Sequence, residues 1–297
     1  MANLRVKLLA NPPATTADPA IGVRRLVGLL CALTFGLMAL GSLTRVMGAG
    51  LSCPDWPLCY GQVLPHLDPY IFLEWFHRQV AQLVGLLTVG LCALVWWQRR
   101  RLPGWLVPLA ALALALVLVQ GILGALTVTQ YLRFDIVTAH LGTAMLYFAT
   151  LLVALTLLTP APAIRSQSRF LPWVASAGAL IVYAQIILGG LVASQWALHQ
   201  CLAGSLLCNV MNNHLVGVVP ATLATLASIG FAWKPLRPLA LALLGLLLAQ
   251  IGLGVATFWL QLSVPALTVA HLAIGAALLG SLVVLAVLSL RERYRSV

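Results

Sequence analysis

Residues 105–129 read WLVPLAALALALVLVQGILGALTVT and hold no charged side chain from end to end. An apolar run this long crosses the roughly 30 Å of bilayer hydrocarbon as a helix. It is too long for a strand and shows no period-2 alternation. Working outward, similar runs lie near Leu26–Thr44, Glu74–Trp97, Ile136–Leu158, Leu171–Ala193, His214–Trp233, Leu239–Leu260 and Ala266–Leu288. The fold expected is an all-α polytopic membrane protein with eight transmembrane helices.

Composition agrees. The 297 residues are 62% hydrophobic and 8% charged, with a mean hydropathy of +1.02. A soluble domain carries about a quarter charged residues, so this chain cannot coat a water-facing surface and the lipid bilayer is its solvent. The net charge of +11 raises the question of nucleic acid, and its distribution argues against such a partner. With eight spans, both ends fall on one side. That side receives Arg5, Lys7, Arg24, Arg25, the run Arg99–Arg101, Arg165, Arg169, Lys234, Arg237, Arg291, Arg293 and Arg295. The other receives Arg45, Arg78 and Arg133. The bias is positive-inside, which predicts cytoplasmic termini. The tail 1–22 is polar and Pro/Ala-rich without a short apolar core and cleavage site, so it does not read as a signal peptide. A bacterial inner membrane suits the compact chain better than a mitochondrial one.

The chain repeats internally. Gln120-Gly-Ile-Leu-Gly-Ala-Leu-Thr127 parallels Gln250-Ile-Gly-Leu-Gly-Val-Ala-Thr257, and Ala139-His140-Leu141 parallels Ala270-His271-Leu272. Leu40-Gly41-Ser42-Leu43 parallels Leu188-Gly189-Gly190-Leu191, while His77 and His214 each open the second span of a half. The organisation expected is therefore two pseudo-symmetric four-helix bundles, 23–160 and 171–290. A cytoplasmic linker 161–170 joins them, with tails at 1–22 and 291–297. Each half has an even number of spans, so the copies share one orientation. The repeated glycines suit close helix approach, and Gln120, Gln185 and Gln250 are expected to make interhelical hydrogen bonds.

His66 and His199 fall in outer loops. His77, His140, His214 and His271 fall in the first two turns of the even-numbered spans, at one depth near the outer surface. One such residue would read as a satisfied helix-end side chain. Four at equivalent repeat positions read as ligands, because ionisable residues within spans are rare and usually functional. Facing histidines from two helices can clasp a haem iron from both sides. A bare metal would find too few ligands.

The halves differ in one respect. Glu74 precedes His77 by three residues and so shares its helical face; Met211 holds the matching place before His214. A carboxylate beside a haem ligand can accept a proton or steady developing positive charge. A helix-start carboxylate favoured by the macrodipole is the equally weighted alternative. Arg45, Arg78 and Arg133 at the outer face either pair with haem propionates or reach for lipid headgroups. Cys31 and Cys92 lie in spans. Cys53 and Cys59 share the first outer loop, and Cys201 and Cys208 the third, both on the side where disulfides persist. A structural bridge is favoured for the second pair; the first is open between a bridge and a redox role.

The segments Gly41-Ser-Leu-Thr-Arg45, Gly50-Leu-Ser-Cys-Pro-Asp-Trp-Pro-Leu-Cys59 and Glu74-Trp-Phe-His-Arg78, followed by His140, His214 and His271, resemble the heme A synthase family over nearly the whole chain. The resemblance implies oxidation of a methyl group of heme O to a formyl group by successive hydroxylations, giving heme A for cytochrome oxidase. It implies His77 and His140 as ligands of the substrate heme O, Glu74 as the catalytic carboxylate, and His214 and His271 as ligands of a heme b. It also implies disulfides Cys53–Cys59 and Cys201–Cys208, the first with a part in electron or haem handling. Heme O synthase and oxidase assembly factors are the implied partners, beside an unidentified electron acceptor or donor. Iron held by two histidines cannot bind oxygen without losing one of them. Two routes therefore stay open: a histidine swings away, or electrons are withdrawn while Glu74 takes protons or steadies a cation. The rival function is a di-haem b-type membrane electron carrier or quinol oxidoreductase. A transporter would also have parallel repeats, but it leaves the histidines and cysteine loops unexplained.

Overall fold

The computed structural model describes residues 19–66, 68–160, 168–193 and 206–295. They form eight helices: α1 (Pro19–Val46), α2 (Pro69–Trp97), α3 (Leu106–Thr129), α4 (Phe134–Leu158), α5 (Leu171–Val192), α6 (Leu206–Ala232), α7 (Arg237–Trp259) and α8 (Pro265–Arg295). All eight are long and apolar enough to cross a membrane, as the sequence predicts, and the chain is a multi-pass membrane protein. The termini of four helices differ from expectation, α2 beginning at Pro69 rather than Glu74. α1 begins inside the stretch read as a tail, and α8 continues past residue 290. α6 begins well before His214, because the stretch Asn209–Asn213, three of whose five residues are asparagine, is helical rather than loop, as is Cys208. Asparagine is a poor helix former, but the cost per residue is small and tertiary context overrides it.

Helix contacts close into two rings. α1 packs on α2, α2 on α3, α3 on α4 and α4 back on α1; α5 to α8 repeat the circuit. The rings meet where α4 touches α5 and α8, and where α8 touches α1. α4 and α8 thus sit at the centre. Half of the apolar window of each is buried, against 17–28% for the other six. The fully buried leucines Leu151, Leu282 and Leu285 lie on these two helices. Large apolar side chains such as Leu86, Ile122, Leu180 and Leu248 point outward, as lipid contact requires.

The repeat is visible in the backbone. The α3–α4 turn places Tyr131 and Leu132 at positive φ, with Leu132 N–H donating to Thr127 C=O at 2.8 Å. The α7–α8 turn places Gln261 and Leu262 at positive φ, with Leu262 N–H donating to Thr257 C=O at 3.0 Å.

Candidate functional site

α2 starts at Pro69, behind an Asp68 N-cap whose carboxylate accepts from the N–H groups of Tyr70 and Ile71. Proline at the first helical position and aspartate before it are strong start signals. The consequence is a correction: His77 lies in the third turn of its helix, as does His214 in α6, whereas His140 and His271 lie in the second turn of theirs. His77 and His214 do not open their spans.

Each of the four imidazoles leans on a glycine of the preceding helix. A β-carbon on Gly41 would stand 2.9 Å from His77 Cε1, and one on Gly124 3.6 Å from His140 Cε1. The corresponding distances are 3.0 Å for Gly189 and His214 and 3.0 Å for Gly254 and His271. The Nδ1 atom of all four rings is buried without a hydrogen-bond partner. Buried polar atoms are normally bonded, so four orphans at two equivalent pairs of positions mark a place built for something else. Within each ring, the two histidines sit on helices that do not adjoin around the circuit, α2 with α4 and α6 with α8. They are close enough to interact electrostatically.

Gln120 donates to His140 C=O at 3.0 Å and Gln185 to His214 C=O at 2.7 Å, while Gln250 Nε2 approaches His271 Nε2 at 3.4 Å. These are the interhelical bonds expected of the three glutamines. Leu37 holds the matching place in α1.

Glu74 is 3% exposed and both its oxygens are engaged. Oε1 pairs with Arg78 Nη2 at 2.5 Å, and Oε2 accepts from Cys53 N–H at 2.8 Å. Arg78 donates further to the carbonyls of Cys53, Asp55 and Leu58. Its guanidinium is thus turned into the loop between α1 and α2. Arg133 pairs instead with Asp135 at 2.7 Å in a half-exposed ion pair. Arg45, one turn beyond Gly41, keeps a buried Nη1 with no partner.

Cys53 and Cys59 form a disulfide with Cα atoms 4.7 Å apart. Between Cys59 and Gln62 the chain reverses over Tyr60 and Gly61, both at positive φ, with the flanking residues bonded at 3.0 and 3.1 Å. This is the two-residue hairpin geometry that favours glycine at the second place. Asp55 steadies it by accepting from the Tyr60 and Gly61 N–H groups at 2.6 and 2.8 Å. The Gly61 bond, chiefly, holds the Asp55 carboxyl below its ordinary range. Trp75 donates to Val63 C=O at 2.8 Å and ties the far end of the loop to α2. Cys208 is disulfide-bonded; Cys201 and His199 lie outside the described residues. Cys31 and Cys92 are free, and His66 is exposed.

Among the described residues, no three His, Cys, Asp or Glu side chains gather into a metal cluster. Two imidazoles per ring suit an iron whose equatorial ligands come from a porphyrin.

The glycine seats and the Glu74–Arg78–Cys53 unit are the parts that sequence reading missed. A signal for the first was present but diluted: Leu-Gly stands at 40–41, 123–124, 188–189 and 253–254, near the end of each odd-numbered helix, and the same pair also occurs at 141–142, 244–245 and 279–280.

Comparison with known proteins agrees with this picture. The pattern of a family described as cytochrome oxidase assembly protein matches residues 24–71 and 67–284. The heme A synthase of Rhodospirillum centenum is 30% identical over an alignment covering 95% of this chain and 92% of that protein. The heme A synthase of Shewanella oneidensis is 28% identical, over 86% and 92% respectively. A protoheme IX farnesyltransferase of Halobacterium salinarum is 37% identical over 41% of this chain and 27% of its own length. The chain belongs to the cytochrome oxidase assembly family that contains the heme A synthases.

Proposed function

We propose that this chain is a heme A synthase, an oxidoreductase that converts the methyl substituent of heme O to the formyl group of heme A. Heme O is the substrate of the α1–α4 ring, with His77 and His140 as its iron ligands and Glu74 as the catalytic carboxylate. His214 and His271 hold a heme b in the α5–α8 ring. The observation that carries this reading is Glu74, a buried carboxylate one turn from His77, set against Met211 beside His214.

Heme b, when bound, supplies one-electron transfer. The protein's own groups do the rest. The glycine seats hold the imidazole planes, and Gln120 and Gln185 fix the turns that carry His140 and His214. On the route by electron withdrawal, the methyl group gives up electrons to an external acceptor and takes its oxygen from water, and positive charge develops on the carbon between those events. A buried carboxylate opposes that charge far more strongly than water would. Of the three outer arginines, Arg45 alone combines burial with an unpartnered nitrogen, and it is the best propionate anchor in the α1–α4 ring. Arg78 has no Nη hydrogen to spare, and Arg133 is paired with Asp135.

Orientation follows from the charge bias: both termini cytoplasmic in a bacterial plasma membrane, with the histidines near the outer face. Heme O and heme A carry a farnesyl tail and partition into lipid. A heme O synthase is the natural supplier, and the stretch shared with a protein named protoheme IX farnesyltransferase supports such a handover.

Glu74→Gln tests the reading. Membranes carrying this variant should retain both haems by difference spectrum yet form no heme A from supplied heme O, as judged by pigment extraction and mass. Normal heme A accumulation would remove Glu74 from the chemistry and favour a di-haem electron carrier.

A further inference from the structure

Arg78 serves neither purpose expected of an outer-face arginine. Its four Nη hydrogens are all spent: Nη1 on the Asp55 and Leu58 carbonyls at 2.6 and 2.8 Å, Nη2 on the Cys53 carbonyl at 3.1 Å and on Glu74. It is 9% exposed. One guanidinium therefore clasps the disulfide loop at three backbone positions and the buried carboxylate at a fourth. The loop answers from the other side, because Cys53, itself in the disulfide, gives its N–H to the second Glu74 oxygen.

Removing either member would strand the other. An unpaired buried charge is strongly disfavoured, so Glu74 and Arg78 belong together. The second half keeps neither: Met211 and Leu215 stand where Glu74 and Arg78 stand relative to the histidine. A plain loop anchor would need no carboxylate, and a plain catalytic carboxylate would need no loop carbonyls. The arrangement has both, joined through a single side chain.

We propose that Arg78 is the positioning residue of the reaction, locking the Cys53–Cys59 loop and Glu74 into one unit so that closure of the loop sets the direction of the carboxylate. The proposal rests on the catalytic reading of Glu74. It adds that Glu74 works only while the loop is seated, and that the loop is seated only while the Glu74 carboxylate holds both Arg78 and the Cys53 N–H. Planar bidentate geometry is what lets arginine serve both groups; lysine, a point charge, can hold one of them.

The test uses the full-length protein in membranes, with Arg78→Gln, Arg78→Lys and Glu74→Gln. Turnover of heme O to heme A gives kcat and KM. The rate at which dithiothreitol opens the Cys53–Cys59 bridge, read by alkylation and mass, reports loop seating. Arg78→Gln should lower kcat at least tenfold with KM within about twofold, and should speed bridge opening severalfold. Arg78→Lys should recover part of kcat, since an ammonium still pairs with Glu74, while bridge opening stays fast. Glu74→Gln should also speed bridge opening, although it leaves the disulfide untouched.

Wild-type kcat in Arg78→Gln overturns the proposal, as does equal loss of kcat in the Lys and Gln variants, which is the mark of a simple scaffold residue. Should Arg78→Gln fail to assemble, Glu74→Gln decides alone: an unchanged rate of bridge opening overturns the coupling. Failure of the catalytic reading looks different, because Glu74→Gln would then make heme A.

Discussion

Gly41, Gly189 and Gly254 leave the imidazoles a flat seat that a β-carbon would crowd, and Gly124 holds the equivalent place with room to spare. The seats are not equally tight. A methyl on Gly41 would lie 2.9 Å from His77, nearer than real β-carbons come, while one on Gly124 would make ordinary contact at 3.6 Å with His140. Displacing a packed ring costs on the order of 1–3 kcal/mol. Gly41→Ala should thus loosen the haem of the first ring by about 10- to 100-fold. Gly189→Ala, at 3.0 Å from His214, should loosen the second haem to a lesser degree. Gly124→Ala should bind normally. Haem content of the purified variants, measured by pyridine haemochrome and normalised to protein, checks the order. Equal retention in all three would show that the seats carry no weight. The histidines themselves were legible in the sequence because an ionisable residue stands out in an apolar span. The glycines were not, since the four Leu-Gly pairs that form the seats stand among others, at 141–142, 244–245 and 279–280, that do not. Their meaning depends on which helix lies alongside, and a single chain of letters does not state its neighbours.

At the scale of elements, the loop between α1 and α2 is closely tied by its own bonds and by those to α2. Its sequence showed two cysteines and two prolines and left the sulfurs' state open. The structure closes the bridge and adds Asp55, whose carboxylate spans the Tyr60 and Gly61 N–H groups. Their hydrogen bonds hold the folded Asp55 below the ordinary carboxyl range. The sign follows: stabilisation is complete above the unfolded value near ~3.9 and fades as pH falls through the depressed folded value. Wild-type protein should keep Tyr60 and Gly61 amides protected from hydrogen exchange at pH 5–7 and lose that protection under stronger acid. Asp55→Asn should show weaker protection at pH 7 and no acid transition, once rates are corrected for intrinsic exchange. An unaltered profile in the variant would mean that the hairpin stands on its own turn geometry. The starts of α2 and α6 were misjudged for a related reason. Hydropathy finds where lipid begins, whereas capping decides where a helix begins, and Asp68-Pro69 places that point ahead of the apolar run.

Across the whole molecule, α4 and α8 carry the join between the two rings. Gly280 of α8 lets Leu152 and Phe148 of α4 come close: a β-carbon there would meet them at 2.8 and 3.2 Å. Gly142 and Gly190 do the same between α4 and α5, against Ile187 and Leu141 respectively. Arg291, 2% exposed, adds a polar tie by donating to the Thr156 and Thr159 carbonyls at the end of α4. Carbonyls there are left over by the helix, and a cation also suits that pole of the dipole. In the sequence Arg291 counted only as one more cytoplasmic charge. The central place of α4 and α8 was equally hidden, since they are no more apolar than the lipid-facing helices. If these contacts hold the rings together, a bulky residue at Gly280 should weaken both haem sites at once, though it touches neither. Gly280→Leu should lower the midpoint at which haem absorbance is lost on heating, with both haems leaving in a single transition. Gly245→Leu, where nothing lies within 4 Å, adds the same apolar bulk towards lipid and should melt like the parent. Two separate transitions in Gly280→Leu would show instead that each ring is stable alone and that the join serves some other end.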